Sequence, residues 1–250
     1  MYQGFYNLTS GMLSQTRRLD VISQNMVNVS TTGYRQDIYT DIAYEQVMLS
    51  REGNAQETVG TEIGETYLKL VPSDIYTNFD QGPLEPTKLP LDFGIEGDGF
   101  FEIEWEGVVG YTRAGSFSLD NDGNLFLPNH GLVHGPDGNN IYLGTDNVYG
   151  DPAGNIFNAD TGELLGTLGV FQFEDNGTLE RNENGLFLGD GAVPAEGYKM
   201  YNGYVERANV DLATEMMNMM TAQRALQSAS QVFKIYDGVI TKAVNEVGRK

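Results

Sequence analysis

The chain has 250 residues, with 35 acidic against 15 basic side chains, a net charge of −20 and no cysteine. That composition excludes a disulfide framework, a thiolate metal site and a thiol nucleophile, and it disfavours nucleic acid and anionic lipid as partners. The length suffices for one large domain or two small ones with real cores, and no run reaches the roughly eighteen apolar residues of a membrane span.

The charge is segregated: residues 1–35 carry +2, residues 36–205 carry −23 and residues 206–250 carry +1. An acidic middle keeps the chain soluble, while near-neutral ends can pack on copies of themselves without a large Coulomb penalty. The first element is a helix. Phe5, Leu8, Met12, Gln15, Leu19, Ile22, Met26 and Val29 alternate three and four residues apart, the spacing of one apolar seam that must be buried against another helix. Gln15 is its only polar member. Ser30, Thr31, Thr32 and Gly33 end it, with Gly33 suited to a left-handed C-terminal position. No basic region with an apolar core and small-residue cleavage site opens the chain, so no cleaved secretory leader is expected.

Residues 36–90 read as a transition arm and linker, opening with a short helix or an extended arm. Ile38, Ile42, Tyr44, Val47 and Leu49 have mixed periodicity, Gly53, Gly60 and Gly64 break any long helix, and strands are expected near Tyr67–Val71. Three prolines between Gln81 and Pro90 fix backbone angles and remove amide donors. From 91 to 201 the pattern is β. Phe101, Ile103 and Trp105 alternate with Glu102, Glu104 and Glu106, as in a strand with one buried face. Turn signals recur at Asp120-Asn-Asp-Gly123, Pro136-Asp-Gly138, Asp151-Pro-Ala-Gly154, Asp160-Thr-Gly162, Asp175-Asn-Gly177 and Asn182-Glu-Asn-Gly185. Short strands between such turns argue an antiparallel sandwich or open barrel, and Leu168–Phe173 reads as a buried strand.

The last segment, 202–250, holds the longest periodic pattern, from Asn209 to Arg249. Met219, Ala222, Leu226, Ala229, Phe233, Tyr236, Ile240, Ala243 and Val247 keep the three-and-four spacing over four heptads, and Ala225, Val232 and Val239 widen the seam. Asn209 is the expected N-cap and Asp211 suits the positive end of the helix dipole. The fold class expected is therefore α+β: long N- and C-terminal helices paired in a coiled-coil-like layer, with a central antiparallel β-domain. Its segments are 1–35, 36–90, 91–201 and 202–250.

Chemistry is sparse. Asp120–Asn124 resembles part of a calcium loop, but its Gly comes two positions early and Asn129 stands where the bidentate acid belongs. His130 and His134 are four apart, yet Gly131 and Gly135 place them in turns rather than on one helix face. No nucleophile elbow, P-loop or dinucleotide-binding glycine motif occurs. No catalytic, cofactor or metal site is expected, and the four methionines 216, 217, 219 and 220 can be read as an adaptable binding surface.

Four stretches, in order, resemble the bacterial flagellar rod and hook proteins. Asn25-Met-Val-Asn28-Val-Ser-Thr31-Thr-Gly33-Tyr34-Arg35 is similar to the family's N-terminal signature. Asn209-Val-Asp211-Leu-Ala-Thr-Glu-Met with Thr221-Ala-Gln223-Arg224-Ala is similar to its C-terminal one. Ile95–Phe101 and Tyr111–Phe117 resemble pieces of its central β-domain. Val27 and Leu226 depart from it, where Ala and an aromatic are common. The resemblance implies a structural subunit of the basal-body rod that stacks helically into a torque-transmitting shaft needed for motility. Its implied partners are copies of itself, other rod and hook axial proteins and the flagellar export apparatus, which would carry it out without a cleaved signal. The seam residues Leu8, Met12, Leu19, Ile22, Met26, Val29, Met219, Leu226, Phe233, Ile240 and Val247 would then be the assembly surface. The alternatives are a secreted β-rich adhesin or glycan-binding protein, although Trp105 is the only tryptophan, or, within the family, another rod- or hook-type axial subunit; an enzyme is a more distant one.

Overall fold

The computed structural model describes residues 2–51, 61–182 and 184–247. Gly53, Gly60, Gly248 and Arg249 lie outside the described residues, as do the side chains of Ile42, Tyr44, Val47, Leu49, Tyr67 and Val247. The fold is α+β and divides into two compact units. A helical unit comprises Met1–Met26, Asp37–Tyr76 and Leu212–Lys250; a β-unit comprises Val27–Gln36 and Thr77–Asp211.

The helical unit contains α1 (Tyr2–Val27), α2 (Leu212–Val247) and a two-stranded antiparallel ribbon of β1 (Asp37–Arg51) and β2 (Thr61–Thr77). Mixed periodicity over 36–70 thus resolves as two long strands. The terminal helices pack on each other: the Phe5 and Phe233 rings lie 5.0 Å apart, and Val21, Ile22 and Ala222 are buried. α2 starts three residues later than expected, at Leu212, because the side chain of Asn209 is used elsewhere.

The β-unit opens with β3 (Leu84–Pro86), β4 (Phe93–Glu96), β5 (Phe100–Trp105) and β6 (Val108–Thr112). β5 and β6 form a hairpin in which Phe101 faces Thr112 and Trp105 faces Val108. On the far side β5 pairs with Gly131–Val133 and with Val170–Gln172, so it lies at the centre of the largest sheet. A three-stranded sheet of Val148–Gly150, Asn155–Asn158 and Leu164–Thr167 adds Ile156 to the core. The last two strands return to the first two: Lys199–Asn202 pairs with β4 and Tyr204–Glu206 with β3.

Phe93, Ile95, Phe101, Ile103, Leu125, Val133, Leu168 and Met200 form the main core. Phe100, Tyr111, Phe171, Leu179 and Phe187 form a second cluster. β5 therefore differs from the half-buried strand its alternation suggests. Residues Phe100–Ile103 are buried on both faces of the strand, and Glu102 is buried beside Tyr111. It accepts from the Tyr111 hydroxyl at 3.3 Å and meets His134 Nδ1 at 2.9 Å, while His134 Nε2 meets Glu104 at 3.1 Å. His134 is thus a buried partner for two glutamates, and His130 Nδ1 contacts the Pro128 carbonyl. Among the described residues no group of three His, Cys, Asp or Glu could hold a metal ion.

Candidate assembly surface

α2 shows two faces. Along the seam, Ala222 is buried, while Met219, Leu226, Ala229, Phe233, Tyr236 and Ile240 are half-buried and Ala243 is exposed. On α1, Ile22 is buried and Leu8, Met12, Leu19 and Met26 are half-buried; Val29, also half-buried, lies past the helix end. The second face carries Val232, Ile235 and Val239, exposed by 49, 68 and 60 %. Their spacing of three and four makes a second apolar stripe. The sequence reading joined Val232 and Val239 to the seam, but a neighbour in sequence sits about 100° around an α-helix. That rotation turns Val232 away from the half-buried Phe233. Met216, Met217 and Met220 are exposed as well.

The signature residues gather at two polar clusters, one in each unit. In the helical unit Asn25 is buried, and its side-chain amide treats Asp37 as a neighbouring strand would. Nδ2 donates to the Asp37 carbonyl at 2.8 Å and Oδ1 accepts from the Asp37 amide at 3.0 Å. Nδ2 also reaches Glu215 Oε1 at 3.1 Å, so one residue ties α1 to the start of β1 and to the first turn of α2. Glu215 is buried there, where the helix dipole favours an anion. Nearby, Ser14 and Arg18 both bond Asp41 at the outer part of β1.

In the β-unit the centre is Glu206, with no exposed side-chain surface. Its Oε1 lies 2.6 Å from Arg35 Nη1 and accepts from the Gly82 amide at 2.8 Å; its Oε2 lies 3.3 Å from Arg113 Nη1. Arg35 also donates to the Asp80 carbonyl at 2.6 Å, and Arg113 to the Gly97 carbonyl at 2.7 Å. Two buried guanidiniums thus share one carboxylate. Burial pushes the Arg113 guanidinium down to about 10; Glu206 opposes that shift and Arg35 adds to it. Among the described residues Arg35 Nε and Nη2 and Arg113 Nε are buried without an acceptor, and Glu206 is the one carboxylate bonded to both guanidiniums.

Asn209 completes the cluster. Its Oδ1 accepts from the Gln36 amide at 2.7 Å, and its Nδ2 donates to the carbonyls of Asn78 and Asp80 at 2.9 and 2.8 Å. Gly33 has φ +68°, and a Cβ there would collide with the backbone at Arg113–Ala114. Both facts require glycine. Arg181 donates to the Arg35 carbonyl and lies over the rings of Tyr34 and Phe187 at 4.6 and 5.1 Å. Asn28 is half-buried and Thr31 donates to it, whereas Thr31, Asp211, Gln223 and Arg224 are exposed. Sequence reasoning missed Arg113, Glu206 and Glu215, because a carboxylate in so acidic a chain gives no local signal of burial.

Comparison with known proteins gives three matches in order along the chain. Residues 5–35 match the profile described as Flagella basal body rod protein, residues 94–211 the Flagellar hook protein FlgE/F/G D1 domain, and residues 201–246 the Flagellar basal body rod FlgEFG protein C-terminal. The chain is 31 % identical to the flagellar basal-body rod protein FlgG of Agrobacterium fabrum, over 91 % of this chain and 93 % of that one. It is 29 % identical to FlgG of Bacillus subtilis, over 98 and 99 % of the two chains. To the flagellar hook-basal body complex protein FlhO of the same organism it is 27 % identical over the full length of both.

Proposed function

Because the chain belongs to the flagellar basal-body rod protein family, we propose that the outer stripe and the half-exposed seam of its terminal helices are where one subunit of a shaft meets the next. The chain is a structural axial subunit of the rod and hook type that self-assembles into a shaft, and the family is not enzymatic. The observation that carries the residue assignment is the incomplete burial of α2. Pairing with α1 leaves Leu226, Phe233 and Ile240 only half covered and Val232, Ile235 and Val239 open to solvent. A helix that is apolar on two faces needs more than one neighbour. Copies added head to tail supply it, and a contact that does not close a ring grows into a helical filament. Family membership supports the remaining details: a place in the basal body, transmission of torque to the hook, contacts with other rod and hook proteins, and passage through the flagellar export apparatus without a cleaved leader.

Two variants separate the faces. Ile235→Asp should leave the isolated subunit's helical circular dichroism and melting unchanged while abolishing the sedimenting polymer. Leu226→Asp should weaken both, because it loses the burial of a Leu, about 1.5–3 kcal/mol when complete, and adds an unpaired charge. Normal polymer from Ile235→Asp would remove the outer stripe from the interface.

A further inference from the structure

We propose that residues 33–36, 78–83 and 206–209 form a single latch that closes only when Glu206 and Asn209 are both seated, so that the incoming and outgoing ends of the β-unit are held or released together. The connectivity carries the argument. The β-unit is discontinuous, and its short first piece, Val27–Gln36, has no strand in the large sheet. That piece is held instead by residues more than 170 positions later. The Gly33 amide donates to the Glu206 carbonyl at 2.8 Å, and the Gln36 amide to Asn209 Oδ1 at 2.7 Å. The Asn209 amide returns to the Tyr34 carbonyl at 3.4 Å. The third strand of the joint is bound to both others: the Asn78 amide donates to the Gln36 carbonyl at 2.8 Å, Gly82 to the Glu206 carboxylate, and Arg207 to the Pro83 carbonyl at 3.0 Å.

The electrostatics make these bonds conditional on one another. Arg35 is fully buried, and Glu206 is the only carboxylate bonded to it among the described residues. Seating residues 33–36 without 206–209 would bury a guanidinium with no counter-charge, which is strongly unfavourable. Seating 206–209 without 33–36 would leave Glu206 with the Gly82 amide and with Arg113 at 3.3 Å but without its nearer cation, and Asn209 without the amide it caps. Neither half is stable alone. Partial opening that separates the ends is therefore penalised, and the three segments behave as one cooperative opening unit.

Native-state hydrogen exchange on the full chain tests this. In wild type, the amides of Gly33, Gln36, Asn78, Gly82, Arg207 and Asn209 should share one opening constant and one denaturant dependence, distinct from the β5–β6 amides. In Asn209→Ala, exchange at Gly33, Gly82 and Arg207, which do not bond that side chain, should rise by the same factor as at Gln36, roughly tenfold or more for three lost hydrogen bonds. The β5–β6 amides should not change. Acceleration confined to Gln36 would overturn the latch, as would equal acceleration in β5–β6. Should Asn209→Ala fail to fold, the wild-type measurement decides alone, and scattered opening constants among the six amides refute the proposal.

Discussion

Glu206→Gln is the substitution whose consequence the geometry fixes most closely. The glutamine has nearly the volume of the native side chain, so packing is conserved and the perturbation is electrostatic. Three donors converge on the two carboxylate oxygens: Arg35 Nη1, the Gly82 amide and Arg113 Nη1. Whichever way the new amide turns, its NH2 faces at least one of them. Both guanidiniums then lie buried with no anion bonded to them, although each keeps a backbone carbonyl. Breaking a buried pair by removing one partner costs about 3–5 kcal/mol. The β-unit has roughly 145 residues; at about 2.1 cal/mol/K per residue its unfolding entropy is near 0.3 kcal/mol/K, so its melting temperature should fall by about 10–16 K. Trp105, the only tryptophan, lies in β5, so its fluorescence reports the β-unit separately from the helices. A fall under about 3 K would place Glu206 in the range of a surface ion pair and refute the account of a joint closed by one carboxylate.

Two further outcomes are expected. Gly123 has φ +83° in the turn between Ser118–Leu119 and Leu125–Leu127, and a Cβ there would lie 2.9 Å from the Tyr142 ring. Gly123→Val should therefore lower the Trp105-reported melting temperature more than Asp120→Asn with Asp122→Asn, since Asn also suits turns, and a chelator should leave all three proteins unchanged; a drop with chelator would revive an ion site. Burial, reinforced by Glu102, pushes the Tyr111 phenol up from 10.0 to about 12. Such an acid contributes stability that is complete below its unfolded value and is lost as pH rises from about 10 toward 12, so urea midpoints of wild type should decline against Tyr111→Phe across that window. Parallel curves would contradict it.

The terminal helices were legible because their signal is local: an apolar residue every three or four positions is visible without knowing the partner. β5 was legible as a strand for the same reason, through Phe101, Ile103 and Trp105. Its second buried face was not, because the partners that meet Glu102 there, Tyr111 and His134, come from other strands. The arm of β1 and β2 shows a limit of periodicity, since Ile38, Val47 and Leu49 fit neither template cleanly. Gly33 could be placed from its position after a helix, yet the backbone approach that also requires glycine comes from Arg113 and Ala114. Arg35, Glu206 and Asn209 illustrate the widest gap. Arg35 and Asn209 belong to the signature stretches, and Glu206 reads as one more acid, but nothing local joins the three; the return of the last strand to β3 brings them together.

The chain passes between its two units at four places, after Met26, Gln36, Tyr76 and Asp211. This bears on how such proteins can recombine. A single exchange that transplants 77–211 from one relative into another carries Glu206, Asn209, Gly82 and Arg113, but leaves Gly33, Tyr34 and Arg35 to the recipient. Chimeras are therefore constrained at a fourteen-letter word split in three, and compatibility should follow identity at 33–36 rather than similarity across the sheets. A drift at either end of the joint demands a matching change at the other. The unit of inheritance is larger than the continuous stretch 77–211, because it includes residues 33–36 of the same unit.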